Sequence, residues 1–159
     1  MICDEGVERP VRKTVGSAGY DFHAPHDFEL KPGEWTDIDT GVRFDGSEKV
    51  KCPISGFKPL SGSQNFGTST DVCDVKQWVM LLFPRSGLGT KYGVRLRNVC
   101  GIIDMTYRDN IRACMTSDVP ITIHKGERFM QGVIVPFGMF CGEVWPTEER
   151  KGGYGSTGL

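Results

Sequence analysis

Long apolar runs and net charge are both missing from this sequence. None of its hydrophobic stretches approaches the length of a membrane-spanning segment, and the N-terminus MICDEGVERP lacks the basic-then-apolar pattern of a signal peptide. The 19 basic and 20 acidic residues leave a formal charge of -1, so bulk charge does not favour nucleic-acid binding. We therefore expect a cytoplasmic protein with neither a membrane nor a nucleic acid as partner.

Metal-ligand spacings are missing as well. The cysteines form no C-x-x-C pair and have no histidine at a ligand-like offset. They are Cys3, Cys52, Cys73, Cys100, Cys114 and Cys141. His23 and His26 form an H-x-x-H, but Pro25 breaks the segment and no third ligand lies nearby. We interpret the cysteines as reduced, buried small residues and the two histidines as part of a surface loop.

Helical periodicity is absent over any stretch of a dozen residues. Short runs alternate as strands do, between 21 glycines and 9 prolines. The clearest runs are residues 78–83, 121–124 and 132–137. One short helix is expected after Pro84, over residues 86–91. The pattern predicts an all-β fold, either a barrel or a jelly roll.

Two segments differ in composition from the rest of the chain. Residues 46–76 are rich in Gly, Ser, Thr and Asn, so we expect an inserted segment within a single β domain over residues 1–149. Residues 150–159 end in GGYGSTGL, which cannot form a regular element. Such a tail is either a disordered end or a flexible segment whose N–H groups wrap a phosphate-bearing ligand.

The tetrapeptide Pro84-Arg85-Ser86-Gly87 directly follows the apolar run of residues 78–83. A guanidinium, a hydroxyl and flexible backbone at a helix start are donors suited to an anion such as phosphate. A turn with an exposed arginine is an equally good interpretation of these four residues alone.

Asp104 follows an apolar stretch in which we expect Val99, Ile102 and Ile103 to be buried. A strand or hairpin would carry its carboxylate into a partly desolvated position, where it can orient or deprotonate a water molecule. Tyr107 offers a flat wall against a sugar or base. Taken alone, the segment favours another interpretation, a hydrogen-bonded turn aspartate and a core tyrosine.

Two further segments carry weaker signals. GERFMQ, residues 126–131, indicates a hairpin corner with a tight turn, an ion pair and an inward-facing aromatic ring. AGYDF, residues 18–22, indicates a strand with one polar side chain, Asp21. Each has an ordinary structural explanation, and only the order and spacing of all these segments suggest more.

Five segments in order resemble the motifs of the trimeric, all-β dUTPase family. They are SAGYDF (17–22), PRSGLG (84–89), NVCGIIDMTYR (98–108), GERFMQ (126–131) and GGYGSTG (152–158). The resemblance implies a jelly-roll-like, distorted β-barrel that forms a homotrimer with shared active sites. It also implies hydrolysis of dUTP to dUMP and pyrophosphate, which lowers dUTP and supplies dUMP for thymidylate synthesis.

The third of these motifs would hold the nucleoside and the attacking water. By this resemblance, Asp104 positions the water that attacks the α-phosphorus of dUTP. Tyr107 packs against the deoxyribose and leaves no room for a 2′-hydroxyl. Asn98 reads the uracil edge, and backbone groups at Gly101 and Ile103 complete a pocket too tight for the thymine methyl and mismatched to cytosine.

The other motifs would hold the phosphates. Arg85, Ser86 and Gly87 cradle them, by the same resemblance. Mg²⁺ is the implied cofactor, held mainly by the substrate phosphates, with Asp21 and Gln131 reaching it through water only. The metal would neutralise charge and fix the triphosphate for in-line attack.

The tail would close over the nucleotide and exclude water. Its implied substrate-binding residues are Arg150, Tyr154, Gly155, Ser156 and Thr157. Tyr154 replaces the usual phenylalanine and would stack on uracil, while Ser156 and Thr157 would contact the γ-phosphate. The arginine that usually precedes the glycines of the fifth motif aligns with Glu149 in this chain. We therefore assign its contact with the γ-phosphate to Arg150, one residue later.

Some features depart from the usual motifs. Thr106 stands where a second acidic residue is common, and Asp109 where glycine is common. The segment 46–76 resembles insertions in phage or prophage dUTPases, which can contact a host regulatory protein. A passive surface loop is the alternative. A phage-encoded protein of this kind would work in the host cytoplasm.

Two other functions fit parts of the pattern. A dCTP deaminase shares the fold but needs a glutamate after the second motif, which PRSGLG does not supply. A regulatory protein could use dUTP only as a switch for partner binding. The intact Asp104 and all five motifs argue against loss of catalysis, although both roles can coexist.

Overall fold

The computed structural model describes residues 1–44, 50–52, 73–75, 77–138, 140–142 and 144. Its elements are β1 (Ile2–Cys3), β2 (Gly19–His23), β3 (Phe28–Leu30), β4 (Thr36–Asp39), β5 (Val42–Arg43), β6 (Val50–Cys52), β7 (Cys73–Val75), β8 (Trp78–Pro84), α1 (Ser86–Tyr92), β9 (Arg95–Leu96), β10 (Gly101–Asp104), β11 (Arg112–Thr116), β12 (Ile121–Ile123) and β13 (Arg128–Pro136). The predicted all-β fold is confirmed, because strands dominate this part of the chain.

The largest sheet contains four antiparallel strands in the order β10-β8-β13-β2. The central strand β8 buries Trp78, Met80 and Leu82 at alternate positions, as its apolar pattern predicts. A second sheet has the order β4-β11-β9, and β1-β5, β12-β3 and β6-β7 form two-stranded ribbons. Among the described residues, β10 and β2 are the edge strands of this sheet, and β2 has one isolated bridge on its outer side, between Asp21 and Val11.

Aromatic side chains tie the sheets together through the core. Phe28 and Phe129 pack edge to face with ring centroids 5.4 Å apart, and Phe44 meets Trp78 in the same way at 5.0 Å. Phe129 is 1% exposed, and burial of such a ring contributes about 2 to 3 kcal/mol. This packing anchors the start of β13 next to the site described below.

The short helix predicted after Pro84 is confirmed as α1, one residue longer than expected. It ends at Gly93, whose φ of +63° lies in the left-handed region. A Cβ at Gly93 would also overlap the Asp118 side chain, so only glycine fits. No helix in the described ranges is long and apolar enough to cross a membrane.

The expected insertion contains β6 and β7, which pair with each other in register from Val50 opposite Val75 to Cys52 opposite Cys73. The remainder of segment 46–76 lies outside the described residues. Among the other cysteines, Cys3, Cys100 and Cys114 are half-buried free thiols and Cys141 is an exposed one. Burial of these four cysteines was therefore a wrong expectation, since three lie at positions that only partly face the core and Cys141 lies at the surface.

Candidate active site

Asp21 lies between two arginines. Its Oδ1 is 3.2 Å from Nε of Arg85, and its Oδ2 accepts a hydrogen bond from Nη1 of Arg128 at 2.9 Å. The Asp21 side chain is 11% exposed, whereas those of Arg85 and Arg128 are 35% and 33% exposed. A carboxylate so far from water requires such partners. Two positive charges around one negative charge leave a net positive group that suits an anionic ligand.

The backbone around Phe129 sets this arrangement. The pairing of β2 with β13 shifts register between Arg128 and Met130, so β13 has a bulge here. The Phe129 carbonyl accepts the backbone N–H of Arg85 at 3.2 Å, while its ring packs on Phe28 in the core. The bulged segment therefore fixes both arginines relative to the core.

These three charged residues line a cavity of about 680 Å³, within the usual size range of small-molecule sites. Its lining also includes Lys13, His23 and the carboxylates of Glu8 and Glu127. Helix α1 contributes Leu88 and Tyr92 to the lining. The cavity can therefore hold a ligand that is anionic on one side.

The start of α1 borders the same cavity. The intrahelical hydrogen bonds begin with the N–H groups of Leu88 and Gly89, which both donate to the Arg85 carbonyl at 3.0 Å. The N–H groups of Ser86 and Gly87 precede this ladder, and both residues are exposed. A Cβ at Gly87 would meet nothing within 4 Å, so a ligand can approach the backbone here. The structure thus places Arg85 at the cavity, with Ser86 and Gly87 exposed at the start of the adjoining helix.

Gln131 is the register partner of Asp21, so both side chains stand on the same face of the sheet. A Cβ at Gly19 would lie 2.6 Å from Oε1 of Gln131. Because Gly19 has no side chain, the amide group of Gln131 can occupy this space. The two residues predicted to act around a metal are brought side by side.

Asp104 is the last residue of β10 and is exposed. Its carbonyl accepts the N–H of Tyr107 at 3.0 Å, which closes a tight turn. Tyr107 is 5% exposed, and its hydroxyl donates to the Asn110 carbonyl at 3.1 Å. Within the single chain, Tyr107 therefore lies in the core. The expected partial desolvation of Asp104 is not found in the single chain, because this side chain points away from the core at a sheet edge.

The turn before β10 contains an unusual backbone conformation. Val99 has φ of +64°, the one positive value for a non-glycine residue in the described ranges, and β-branched residues rarely adopt it. Val99 and Ile102 are 82% and 66% exposed, whereas Ile103 is 8% exposed. Burial of the first two was a wrong expectation. On edge strand β10 alternate residues face away from the core, and Val99 projects from the turn.

The turn itself is short and closes against β8. The N–H of Cys100 donates to the Asn98 carbonyl at 2.6 Å. Gly101 is buried, and a Cβ there would lie 2.9 Å from Cδ1 and 3.0 Å from Cβ of Leu82. The predicted nucleoside residues Asn98, Gly101 and Ile103 therefore belong to one segment, residues 98–104, made of this turn and β10, which contacts β8 closely. The hairpin expected here is not formed, because β9 pairs with β11 and β10 pairs with β8.

The segment 98–104 and the Asp21 group lie at opposite edges of the four-stranded sheet. Asp104 pairs with Val79 of β8. Asp21 pairs with Gln131 of β13, which in turn pairs with Phe83 of β8. Three strand spacings and four residues along β8 separate the two aspartates, which corresponds to about 20 Å. None of residues 98–107 lines the cavity. One chain does not unite the two halves of the predicted site.

Comparison with known proteins decides the family. A dUTPase family model matches residues 61–158. The deoxyuridine 5'-triphosphate nucleotidohydrolase of Actinobacillus succinogenes is 32% identical over 157 residues, covering 94% of this chain and 86% of that protein. The chain belongs to the dUTPase family.

Two solved dUTPases share its fold. The enzyme from phage phi11 of S. aureus has a TM-score of 0.63 at 21% identity, with 95% of this chain and 96% of that chain covered. The dUTPase of Staphylococcus bacteriophage 80alpha, solved with dUPNHPP, has a TM-score of 0.63 at 22% identity, covering 100% and 96%. The jelly-roll-like dUTPase fold predicted from the motifs is therefore confirmed.

Four of the five dUTPase motifs lie within the described residues, and the fifth does not. The predicted tail residues Arg150, Tyr154, Gly155, Ser156 and Thr157 all lie outside them. The structure therefore gives no geometry for the tail motif.

The dUTPase motifs did not identify Arg128 as a site residue. The ion pair expected within segment 126–131 involves Arg128, but its partner is Asp21 on β2. The neighbouring Glu127 instead accepts the backbone N–H of His124 at 2.8 Å. The only available signal was the charge of Arg128 within a motif, because its partner depends on the register of β2 with β13.

His23 differs from the surface-loop expectation. It ends β2, and its side chain is only 9% exposed. Its Nδ1 lies 3.6 Å from a Glu8 carboxylate oxygen and makes no hydrogen bond within the described structure. His26 is exposed in a loop, as expected. The described residues contain no group of three or more His, Cys, Asp and Glu side chains that could hold a metal ion.

Proposed function

We propose that this chain is a dUTP diphosphatase that hydrolyses dUTP to dUMP and pyrophosphate. The supporting observation is the positively charged group of Arg85, Asp21 and Arg128 at a cavity in a dUTPase family member. This geometry suits a polyphosphate, and the Actinobacillus succinogenes relative is named for its action on deoxyuridine 5'-triphosphate, dUTP. The reaction lowers dUTP and supplies dUMP for thymidylate synthesis.

Asp104 performs the central step of the proposed reaction. Its carboxylate orients a water molecule and accepts a proton as the water oxygen attacks the α-phosphorus. The bond between the α-phosphorus and the bridging oxygen to the β-phosphate breaks, and pyrophosphate leaves. The exposed position of Asp104 at the end of β10 leaves it accessible to both water and substrate.

The turn and strand that lead to Asp104 select the nucleoside. Asn98 and the backbone at Gly101 and Ile103 bind uracil, and mismatched bases would leave their polar groups unpaired. Tyr107 presents only a narrow edge, since it is 5% exposed. That edge fills the space a 2′-hydroxyl needs, while the ring supports the turn that carries Asp104.

Mg²⁺ fits this site as a metal held mainly by the substrate phosphates. Each Asp21 oxygen faces one arginine and retains acceptor capacity, and Gln131 offers an amide oxygen on the same face. Both can therefore accept hydrogen bonds from metal-bound water. When bound, Mg²⁺ neutralises phosphate charge. Coordination of a structural Mg(II) ion is described for a phage phi11 dUTPase.

The complete site forms in a homotrimer. The separation of about 20 Å between Asp104 and Asp21 is too large for one chain to hold both ends of the reaction. The cavity of one subunit would meet segment 98–104 of its neighbour. Val99 and Ile102 of that segment, 82% and 66% exposed, are apolar surface that such an interface would cover.

The tail then closes the site as a segment separate from the β domain of residues 1–149. Its residues 150–159 supply the remaining substrate contacts. These are stacking on uracil by Tyr154 and contacts to the γ-phosphate by Arg150, Ser156 and Thr157, with Gly155 allowing close approach of the backbone.

The segment 46–76 is a binding site for a host regulatory protein. The phage phi11 dUTPase carries what is described as a species-specific insert. The phage 80alpha dUTPase belongs to proteins described as controlling the transfer of virulence genes. Both share the fold of this chain, and the Gly-, Ser-, Thr- and Asn-rich composition of residues 46–76 supports an insertion in this chain too.

Turnover of dUTP tests the enzymatic proposal. Pyrophosphate release is measured with Mg²⁺ and dUTP, with dCTP and UTP as control substrates. We expect rapid release from dUTP alone, and Asp104→Asn should reduce it by about 10²- to 10⁴-fold. Asp37→Asn, an exposed strand carboxylate in the other sheet, is the matched control and should keep full activity. Absence of dUTP turnover by the wild-type protein refutes the proposal.

A further inference from the structure

We propose that Arg128 is a positioning residue that holds Asp21 so that Arg85 presents its outer N–H groups to the substrate phosphates. This inference rests on the proposed function and adds a residue to the phosphate-binding half of the site. Arg128 itself acts on phosphate binding through Asp21 and Arg85.

The first argument is the way in which Asp21 is shared. Arg85 approaches Oδ1 through Nε at 3.2 Å, while Arg128 donates to Oδ2 through Nη1 at 2.9 Å. A guanidinium and a carboxylate commonly pair through two parallel hydrogen bonds. Because Arg128 occupies Oδ2, Arg85 is held to one oxygen. Its terminal nitrogens then remain directed to other acceptors.

The second argument is electrostatic. Asp21 is 8% exposed as a residue, so its charge is weakly screened by water and strongly affects its neighbours. With both arginines present, the group carries a net positive charge beside the cavity. Without Arg128, the Asp21 and Arg85 charges would cancel, and Arg85 would be drawn into a closed pair.

The third argument is that the backbone specifically places Arg128. The register shift of β13 falls between Arg128 and Met130, and bulges of this kind re-aim a side chain. Phe129 between them is anchored in the core and also accepts the Arg85 N–H. The same bulge therefore sets the separation of both guanidinium groups from Asp21.

The consequence is a defect confined to phosphate recognition. Loss of Arg128 should weaken the binding of ligands that contact Arg85 and spare the binding of ligands that contact only segment 98–104. Pyrophosphate represents the first class and deoxyuridine the second. Both can be measured without a metal ion, so any effect on metal binding stays separate.

The test is calorimetric titration of pyrophosphate and of deoxyuridine into the full chain, in EDTA. The variants are Arg128→Met, Arg128→Lys and the double variant Arg128→Met with Asp21→Asn. Arg112→Met is the matched control, because Arg112 also pairs with two aspartates, Asp37 at 2.7 Å and Asp39 at 3.6 Å, in the other sheet. Circular dichroism confirms that each variant is folded.

We expect Arg128→Met to weaken pyrophosphate binding about tenfold and to change deoxyuridine binding less than about twofold. Arg128→Lys should restore most of the affinity, since an ammonium can still bind Oδ2. Asp21→Asn should suppress the Arg128→Met defect, because a neutral amide no longer draws Arg85 into a pair. Arg112→Met should bind both ligands as the wild-type protein does.

Other results overturn the inference. Unchanged pyrophosphate affinity in Arg128→Met, or equal loss for both ligands, shows that Arg128 does not position the phosphate site. A defect that persists with Asp21→Asn shows that Arg128 contacts phosphate directly. If Arg128→Met does not fold, the other two single variants decide the question. Arg128→Lys should keep most of the pyrophosphate affinity, and Asp21→Asn should not lower it. Wild-type turnover of dUTP is scored separately, so failure of the proposed function is distinguishable.

Discussion

Asp104 and Asp21 stand on opposite edge strands of the same four-stranded sheet, with β8 and β13 between them. The separation of about 20 Å follows from the strand spacing and the register. Asp21 is enclosed by arginines, whereas Asp104 is exposed at the end of its strand. Two carboxylates of one sheet therefore have different surroundings and, in our proposal, serve the sites of different subunits.

Mixed trimers should recover activity that each variant lacks alone. Asp104→Asn and Arg85→Met remove opposite halves of the site. When the two proteins are unfolded together and refolded, a site can combine Asp104 from one chain with Arg85 from another. Random assembly predicts recovery of roughly a quarter of the wild-type rate. The measurement is dUTP turnover of the refolded mixture.

The control for this experiment mixes Asp104→Asn with a chain carrying both substitutions. No site in that mixture can contain an intact Asp104, so activity should stay at the background level. If the first mixture is equally inactive, each site lies within one chain and the shared arrangement is wrong.

Val99→Asn should stabilise the folded protein by about 1 kcal/mol, because asparagine tolerates positive φ better than a β-branched residue. Val99 has φ of +64° and is 82% exposed within its own chain, so the substitution loses little burial there and gives up apolar contact only at the proposed subunit interface. Urea unfolding measures the effect. Val119→Asn is the control at another exposed valine, 44% exposed and without a positive φ. Equal effects at both positions would show that the backbone conformation is not the cause.

Gly101→Ala should destabilise the protein by about 1 to 3 kcal/mol through overpacking. Its new Cβ would lie 2.9 Å from Cδ1 of Leu82, a side chain that is 1% exposed and cannot easily move. Gly138→Ala is the matched control, because a Cβ there meets nothing within 4 Å. The midpoint of urea unfolding distinguishes them, and similar midpoints for both variants would contradict the close approach of β10 to β8.

Asp27→Asn should lower the melting temperature at neutral pH but not in strong acid. The backbone N–H of Lys125, at 2.7 Å, and then the side chain of His124 hold the pKa of Asp27 below its ordinary value of 3.8. A folded-state pKa below the unfolded one means that the stabilisation is complete above about pH 4 and is lost as the pH falls through the folded-state value.

The measurement for Asp27 is the difference in melting temperature between wild type and variant as a function of pH. We expect a constant gap from neutral pH down to about pH 4, which then closes in more acidic solution. A gap that persists unchanged in strong acid would show that the charge of Asp27 is not what stabilises this turn.

Several local features could be predicted from sequence because their causes lie within a few residues. The alternation of Trp78, Met80 and Leu82 predicted a buried strand, and Pro84 followed by Ser86 predicted the short helix. Hydrophobic periodicity and helix starts depend on neighbours along the chain. Exposure of Ile102 was not predictable in this way, because it depends on β10 lying at the edge of a sheet.

The sequence by itself determined the all-β fold and the order of the five motifs that identify the family. Only the tertiary structure decided that Arg128 pairs with Asp21, 107 positions away, and that Asp104 lies far from both. The physical reason is that strand pairing and register depend on contacts between distant segments, and one residue of shift reverses the face of every side chain. The bulge between Arg128 and Met130 makes such a shift, and it sets the geometry of the phosphate-binding half of the site.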